Sequence, residues 1–142
     1  MLPVRVIVHC SASPDYDISS KKFDLIGARE INIWHKQRDF KRIGYHWVIR
    51  RTGVIEPGRP EDEVGAHCMG ENHDSLGICY VGTEKPTTEQ LESLKSLFID
   101  VSKRHSIPLI RWFTHNHFNQ HKICPGFSLE HLRSILDNID IV

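Results

Sequence analysis

VRVIV at 4–8, followed at once by His9 and Cys10, is the stretch on which the fold turns. Its β-branched run reads as a central strand, interrupted only by Arg5. Working outward, 11–22 is polar, holds Pro14 and reads as a loop. Ala28, Ile31 and Trp34 recur at helical spacing, which predicts an amphipathic helix over 26–37 with Ile31 and Trp34 in the core. Tyr45-His46-Trp47-Val48-Ile49 and Val54-Ile55-Glu56 flank Arg50-Arg51-Thr52-Gly53, the pattern of a hairpin with a glycine turn. Residues 56–72 are rich in glycine, proline and charge. Such a long surface segment in a small domain is usually functional.

Leu76 to Val81 reads as another apolar strand. Thr87 and Gln90 then fit a capping box, with the threonine hydroxyl and the glutamine side chain satisfying each other's backbone N–H groups. Leu91, Leu94, Leu97, Phe98 and Val101 mark one face of the helix that follows, to about His105. A strand over 107–113 is predicted next, opened by Pro108. Residues 114–127 are polar and hold three histidines and Cys124. Ser128 can cap a last helix bearing Leu129, Leu132, Ile135 and Leu136 on one side. Strands alternate with helices and a hairpin sits in the middle. The expectation is therefore an α/β (α+β) chain: one domain over 1–142, with a mixed sheet of about five strands flanked by helices.

Composition narrows the function. The chain has 142 residues, 39% of them apolar, with 18 basic and 18 acidic residues and ten histidines. Zero net charge argues against a protein that coats nucleic acid or lies on a membrane surface. No window approaches the roughly 20 apolar residues of a membrane span. MLPVRVIVHC carries Arg5 in mid-run and lacks the pattern of an export signal, so the protein is expected to be made and held in the cytoplasm. Cys10, Cys68, Cys79 and Cys124 contain no CxxC pair, which excludes a zinc ribbon or a thioredoxin motif. Cys10, Cys68 and Cys79 read as packing residues.

His9 follows the first strand, His115 lies two residues past Phe113, and Cys124 comes nine residues later. Imidazole and thiolate are the donor types that zinc prefers. Three such ligands leave a fourth tetrahedral position for water, the arrangement of a catalytic site. Spacing alone leaves two readings open: a metal centre, or loop histidines beside one buried cysteine.

Five stretches in order resemble the zinc-dependent N-acetylmuramoyl-L-alanine amidases, a family that includes the peptidoglycan recognition proteins. They are VIVHCSAS at 6–13, REINIWHK at 29–36, IGYHWVIRRTGVIEPGR at 43–59, VGAHCMGENHDSLGICYVG at 64–82 and HNHFNQHKICPGF at 115–127. The resemblance implies an amidase or peptidoglycan-recognition fold with Zn2+ held by His9, His115 and Cys124. His115 and Cys124 stand nine apart where many members use eight, which leaves His117 as a rival ligand. The family's active-site tyrosine falls on Tyr45, and the active-site lysine of its phage lysozymes on Lys122. Read without the family, Tyr45 is a packed strand residue and Lys122 a solvated loop charge. The resemblance places His67 and Asn72 on the border of the peptidoglycan groove, as substrate contacts; generic loop polarity is the alternative. His46 alternates with Tyr45 and reads as a core histidine or a support to the metal site. His35, His73, His105, His121 and His131 carry no argued role.

The implied activity is hydrolysis of the amide between N-acetylmuramic acid and L-alanine. The protein would be a monomeric phage lysozyme that reaches the periplasmic wall after the inner membrane is breached. Its implied partner is the peptidoglycan or muropeptide substrate, without nucleic acid and without membrane insertion. Two other classes remain open: a peptidoglycan-binding module without catalysis, and a lysozyme that also inhibits a phage RNA polymerase.

Overall fold

In the computed structural model, which describes residues 1–137, the opening stretch forms β1 (Arg5–Cys10), buried along its whole length. The chain continues through α1 (Ala28–Gln37), β2 (Trp47–Ile49), β3 (Ile55–Pro57), β4 (Ser75–Tyr80) and α2 (Thr88–His105). It ends with β5 (Trp112–Thr114), α3 (His115–Phe118) and α4 (Leu129–Asp137). The strands lie in the order β3-β2-β4-β1-β5. β2, β4, β1 and β5 run parallel, and β3 pairs antiparallel with β2 as the arm of the hairpin. The result is one mixed five-stranded sheet with helices against it.

Alternation along β1 divides the core. Val6, Val8 and Cys10 pack with Ile49, Leu76, Ile78 and Tyr80 against Leu94, Leu97 and Val101 of α2 and Leu132 and Leu136 of α4. On the other face Val48, Cys79 and Val81 pack with Ile26, Ile31 and Ile43. Full burial of each such aliphatic side chain stabilises the fold by roughly 1.5–3 kcal/mol. At the hairpin, Arg50 N–H donates to Val54 O and Gly53 N–H to Arg50 O, each at 2.8 Å. Gly53 has φ +92°, and a Cβ there would lie 2.9 Å from Glu89 O, so glycine is required twice over. The capping box forms: Thr87 Oγ1 accepts from Gln90 N–H at 3.0 Å, and Gln90 Oε1 from Thr87 N–H at 2.9 Å.

Two expectations are corrected. Trp34 is not core: it is 37% exposed, and the inward stripe of α1 is Ala28, Ile31 and His35. The polar ring is favoured inside because His35 Nδ1 accepts from Gly44 N–H at 2.8 Å, satisfying a buried donor that indole could not. The strand expected over 107–113 is only Trp112–Thr114. Pro108 opens a turn instead, in which Arg111 N–H donates to Pro108 O at 2.9 Å. Tyr45 and His46 fall just before β2, yet backbone pairing reaches them: His46 N–H donates to Gly77 O at 2.8 Å, and Tyr45 O accepts from Arg59 N–H at 2.9 Å.

Candidate metal centre

The carboxyl ends of adjacent parallel strands form a crevice, the usual place for a ligand in an open α/β sheet. His9 is the penultimate residue of β1, and β1 pairs with β5 as far as Val8 with Thr114. One residue further on, His115 stands beside His9. Their Nδ1 atoms are 3.1 Å apart. Cys124 Sγ lies 3.7 Å from His9 Nδ1, and donor atoms of all three residues fall within 4.8 Å of one another. Tetrahedral coordination with bonds of about 2.1 Å to nitrogen and about 2.3 Å to sulfur requires separations of about 3.4 Å between nitrogens and about 3.6 Å from nitrogen to sulfur. The donor set fits a small tetrahedral cation, with one position left over.

The remaining ring and thiol protons suit that fit. Burial, reinforced by His67 and His115, pushes His9 well below its ordinary pKa, so the ring stays neutral. Burial and the nearby Lys122 charge lower His115 too. The Cys10 thiol and burial push the Cys124 thiol up, so a cation is what would draw off its proton. Cys10 N–H already points at Cys124 Sγ from 3.1 Å, a donor that favours thiolate.

His117, the rival ligand, stacks on Phe113 with ring centroids 5.3 Å apart and stays outside the donor cluster. Tyr45 packs its ring 5.2 Å from that of His9. Burial, with the Cys79 thiol beside it, holds the phenol well above its ordinary pKa, so its O–H remains a donor. Lys122 is exposed, and its ammonium has no hydrogen-bond partner among the described residues. His46 is buried and fully used: Nδ1 accepts from Gly77 N–H at 3.0 Å, and Nε2 donates to Glu63 O at 2.8 Å.

The two groove residues sit differently from a simple rim. His67 Nδ1 is 2.9 Å from His9 Nε2, and burial lowers the His67 pKa to about 3. Asn72 Oδ1 accepts from the N–H groups of His67 and Cys68, each at 2.9 Å, and so shapes the loop that carries His67.

Sequence reasoning missed the groups that hold the ligand loop. Asn116 N–H donates to Cys124 O at 2.9 Å, and its side-chain amide donates to Phe127 O at 3.0 Å, tying His115 to the turn that bears the thiol. Buried Tyr80 donates its hydroxyl to Pro125 O at 2.7 Å. Gly77 interrupts a strand and lies directly under the His67 ring: a Cβ would come within 2.6 Å of His67 Cγ. A glycine inside an apolar strand is a signal of close approach, and that signal was legible in SLGICY.

The chain is similar to known proteins along most of its length. The family model described as N-acetylmuramoyl-L-alanine amidase matches residues 2–127, which include all three candidate ligands. The endolysin of Escherichia phage T7 is 35% identical over 133 residues, covering 88% of this chain and 82% of the phage protein. The solved N-acetylmuramoyl-L-alanine amidase LysC from Clostridium intestinale superposes with a TM-score of 0.80 at 29% identity, covering 96% of this chain and 86% of its own. Drosophila PGRP-LB superposes with a TM-score of 0.79 at 26% identity, covering 94% and 82%. A match that runs from β1 through the cysteine turn leaves one conclusion: the chain belongs to the N-acetylmuramoyl-L-alanine amidase family.

Proposed function

We propose that the protein is a zinc-dependent endolysin that hydrolyses the amide between the lactyl group of N-acetylmuramic acid and L-alanine in peptidoglycan. One observation carries the reading: in a chain of the amidase family, His9 Nδ1, His115 Nδ1 and Cys124 Sγ converge at tetrahedral spacing at the mouth of the sheet. Those three residues would hold the ion. Zinc bound there would polarise the scissile carbonyl and lower the pKa of water to about 7.

The chain's own groups would do the rest. The hydroxyl of half-buried Tyr45, held protonated, donates a hydrogen bond to the charge that develops on the scissile carbonyl oxygen. Lys122, close enough to His115 to lower its pKa, brings a positive charge to the same oxygen. His9 and His67 stay neutral, so their lone pairs remain available. Asn72 shapes the 66–72 loop, which would border the sugar and stem peptide. All three metal donors come from one chain, which supports action as a monomer. An endolysin of this kind would be made in a host cytoplasm and would act on the periplasmic wall after membrane breach.

The product decides the reading. A glycosidase needs a pair of carboxyl groups about the sugar bond, whereas this donor cluster contains none. Purified sacculi digested by the protein should release free alanine amino groups and no new reducing ends. New reducing ends without free amines would overturn the assignment.

A further inference from the structure

We propose that His67 is a positioning residue for the metal centre: its Nδ1 accepts a hydrogen bond from His9 Nε2–H and so obliges His9 to present Nδ1 to the ion. The inference rests on His9, His115 and Cys124 being the ligands, and it assigns the histidine of the 66–72 loop a task other than touching substrate.

The argument is a count of protons. A neutral imidazole carries one proton, on one nitrogen or the other. His9 Nδ1 faces His115 Nδ1 at 3.1 Å and Cys124 Sγ at 3.7 Å, so as a ligand it must keep its lone pair. The proton of His9 then belongs on Nε2, which lies 2.9 Å from His67 Nδ1. His67 Nδ1 is thereby the acceptor, and the proton of His67 moves to its own Nε2. That nitrogen finds Ser75 O and Ser75 Oγ, each at 3.4 Å. Ser75 Oγ donates its hydrogen to Glu71 O at 2.6 Å, which leaves its lone pairs free to accept. Every proton has one consistent place, and the chain runs in one direction from His9 through His67 to Ser75.

The surroundings hold that ring rather than merely tolerate it. Gly77 clears the space beneath it, and a Cβ there would be 2.6 Å from His67 Cγ. Asn72 Oδ1 fixes the backbone N–H of His67 at 2.9 Å. With both ring nitrogens committed, a sugar or peptide could take one only by breaking the chain. Partners of this kind orient a ligating histidine and raise its basicity, and their loss typically costs about 10–100-fold in metal affinity or activity.

Metal binding itself is the test. The metal-free protein, His67→Leu, His67→Gln and Gly77→Ala are titrated with Co2+, whose absorption reports imidazole and thiolate coordination, and with Zn2+ against a competing chelator. Circular dichroism of the metal-free forms checks folding. His67→Leu should weaken both metals about 10–100-fold and alter the cobalt spectrum. His67→Gln can accept from His9 Nε2–H through its amide oxygen and should recover most of the affinity. Gly77→Ala, which displaces the ring, should resemble His67→Leu. A folded His67→Leu with unchanged affinity and spectrum, and only a raised KM for muropeptide, would overturn the proposal in favour of substrate contact. If His67→Leu does not fold, His67→Gln is compared with His67→Met, of similar length but a poor acceptor; equal affinities in that pair would overturn it as well. Wild-type protein that binds neither metal would overturn the metal centre first, a failure distinct from an indifferent His67.

Discussion

The two faces of β1 do different work from adjacent residues. Val6 and Val8 are sealed under α2 and α4 in an apolar core. His9, one residue on and equally buried, turns to the other face and meets Tyr45, His67 and His115. A strand's alternation therefore lets the core on one face immobilise a ligand on the other, and Cys10 joins the two, packing in the core while its N–H reaches Cys124 Sγ at 3.1 Å. The difference also implies that stability and chemistry can be damaged separately, and substitutions on either face should show it.

The largest effect is expected on the chemical face. His9→Ala, His115→Ala or Cys124→Ala should each lose stoichiometric zinc, read by atomic absorption, and abolish hydrolysis, whereas His117→Ala should keep its metal. Full zinc in His115→Ala with loss in His117→Ala would reverse the ligand assignment. Next come Lys122→Ala and Tyr45→Phe. Both should retain zinc and lose about 10²–10³ in turnover on a soluble muropeptide, the usual cost of one preorganised donor to a developing oxyanion. Wild-type turnover in Lys122→Ala would return that side chain to the solvent.

The supporting face should respond in the opposite sense. Leu94→Ala removes a buried side chain from α2 and should cost about 2–5 kcal/mol in denaturant unfolding. The folded fraction should still bind zinc one to one. Loss of metal in folded Leu94→Ala would show that the two faces are coupled after all.

The smallest effect concerns acid. Glu61 anchors the 58–66 loop to α2, accepting from Trp47 Nε1 at 2.8 Å, Arg104 NH1 at 2.6 Å and His105 Nε2 at 2.9 Å. Burial opposes its ionisation, but hydrogen bonds from Arg104, His105 and Trp47 outweigh that and hold the carboxyl at about 2. A folded-state value below the unfolded one contributes stability at neutral pH that is lost as pH falls from the ordinary 4.5 through about 2. Unfolding followed over that window should show the loss in wild type and a flatter profile in Glu61→Gln. Identical profiles would remove Glu61 from the account.

Local periodicity and cap chemistry sit within a few residues of one another, so the sequence by itself determined much of this protein. The strand begun by the run at 4–8, the Thr87–Gln90 box, the Gly53 turn and the Ser128 cap were all legible, and imidazole and thiol donors named the chemistry. Where neighbours alone could not discriminate, the structure decided. Trp34 and His35 are adjacent on one helix, and the Gly44 N–H, which donates to His35 Nδ1, favours the polar ring as the inward one. His115 and His117 are chemically alike donors in HNH; the family register favours His115, and the pairing of β1 with β5 sets it beside His9. His67 reads as a loop histidine until it closes on His9, 58 residues away, over the bare backbone of Gly77. Contacts across such separations depend on the register of parallel strands joined by long crossovers, and no local spacing encodes that register.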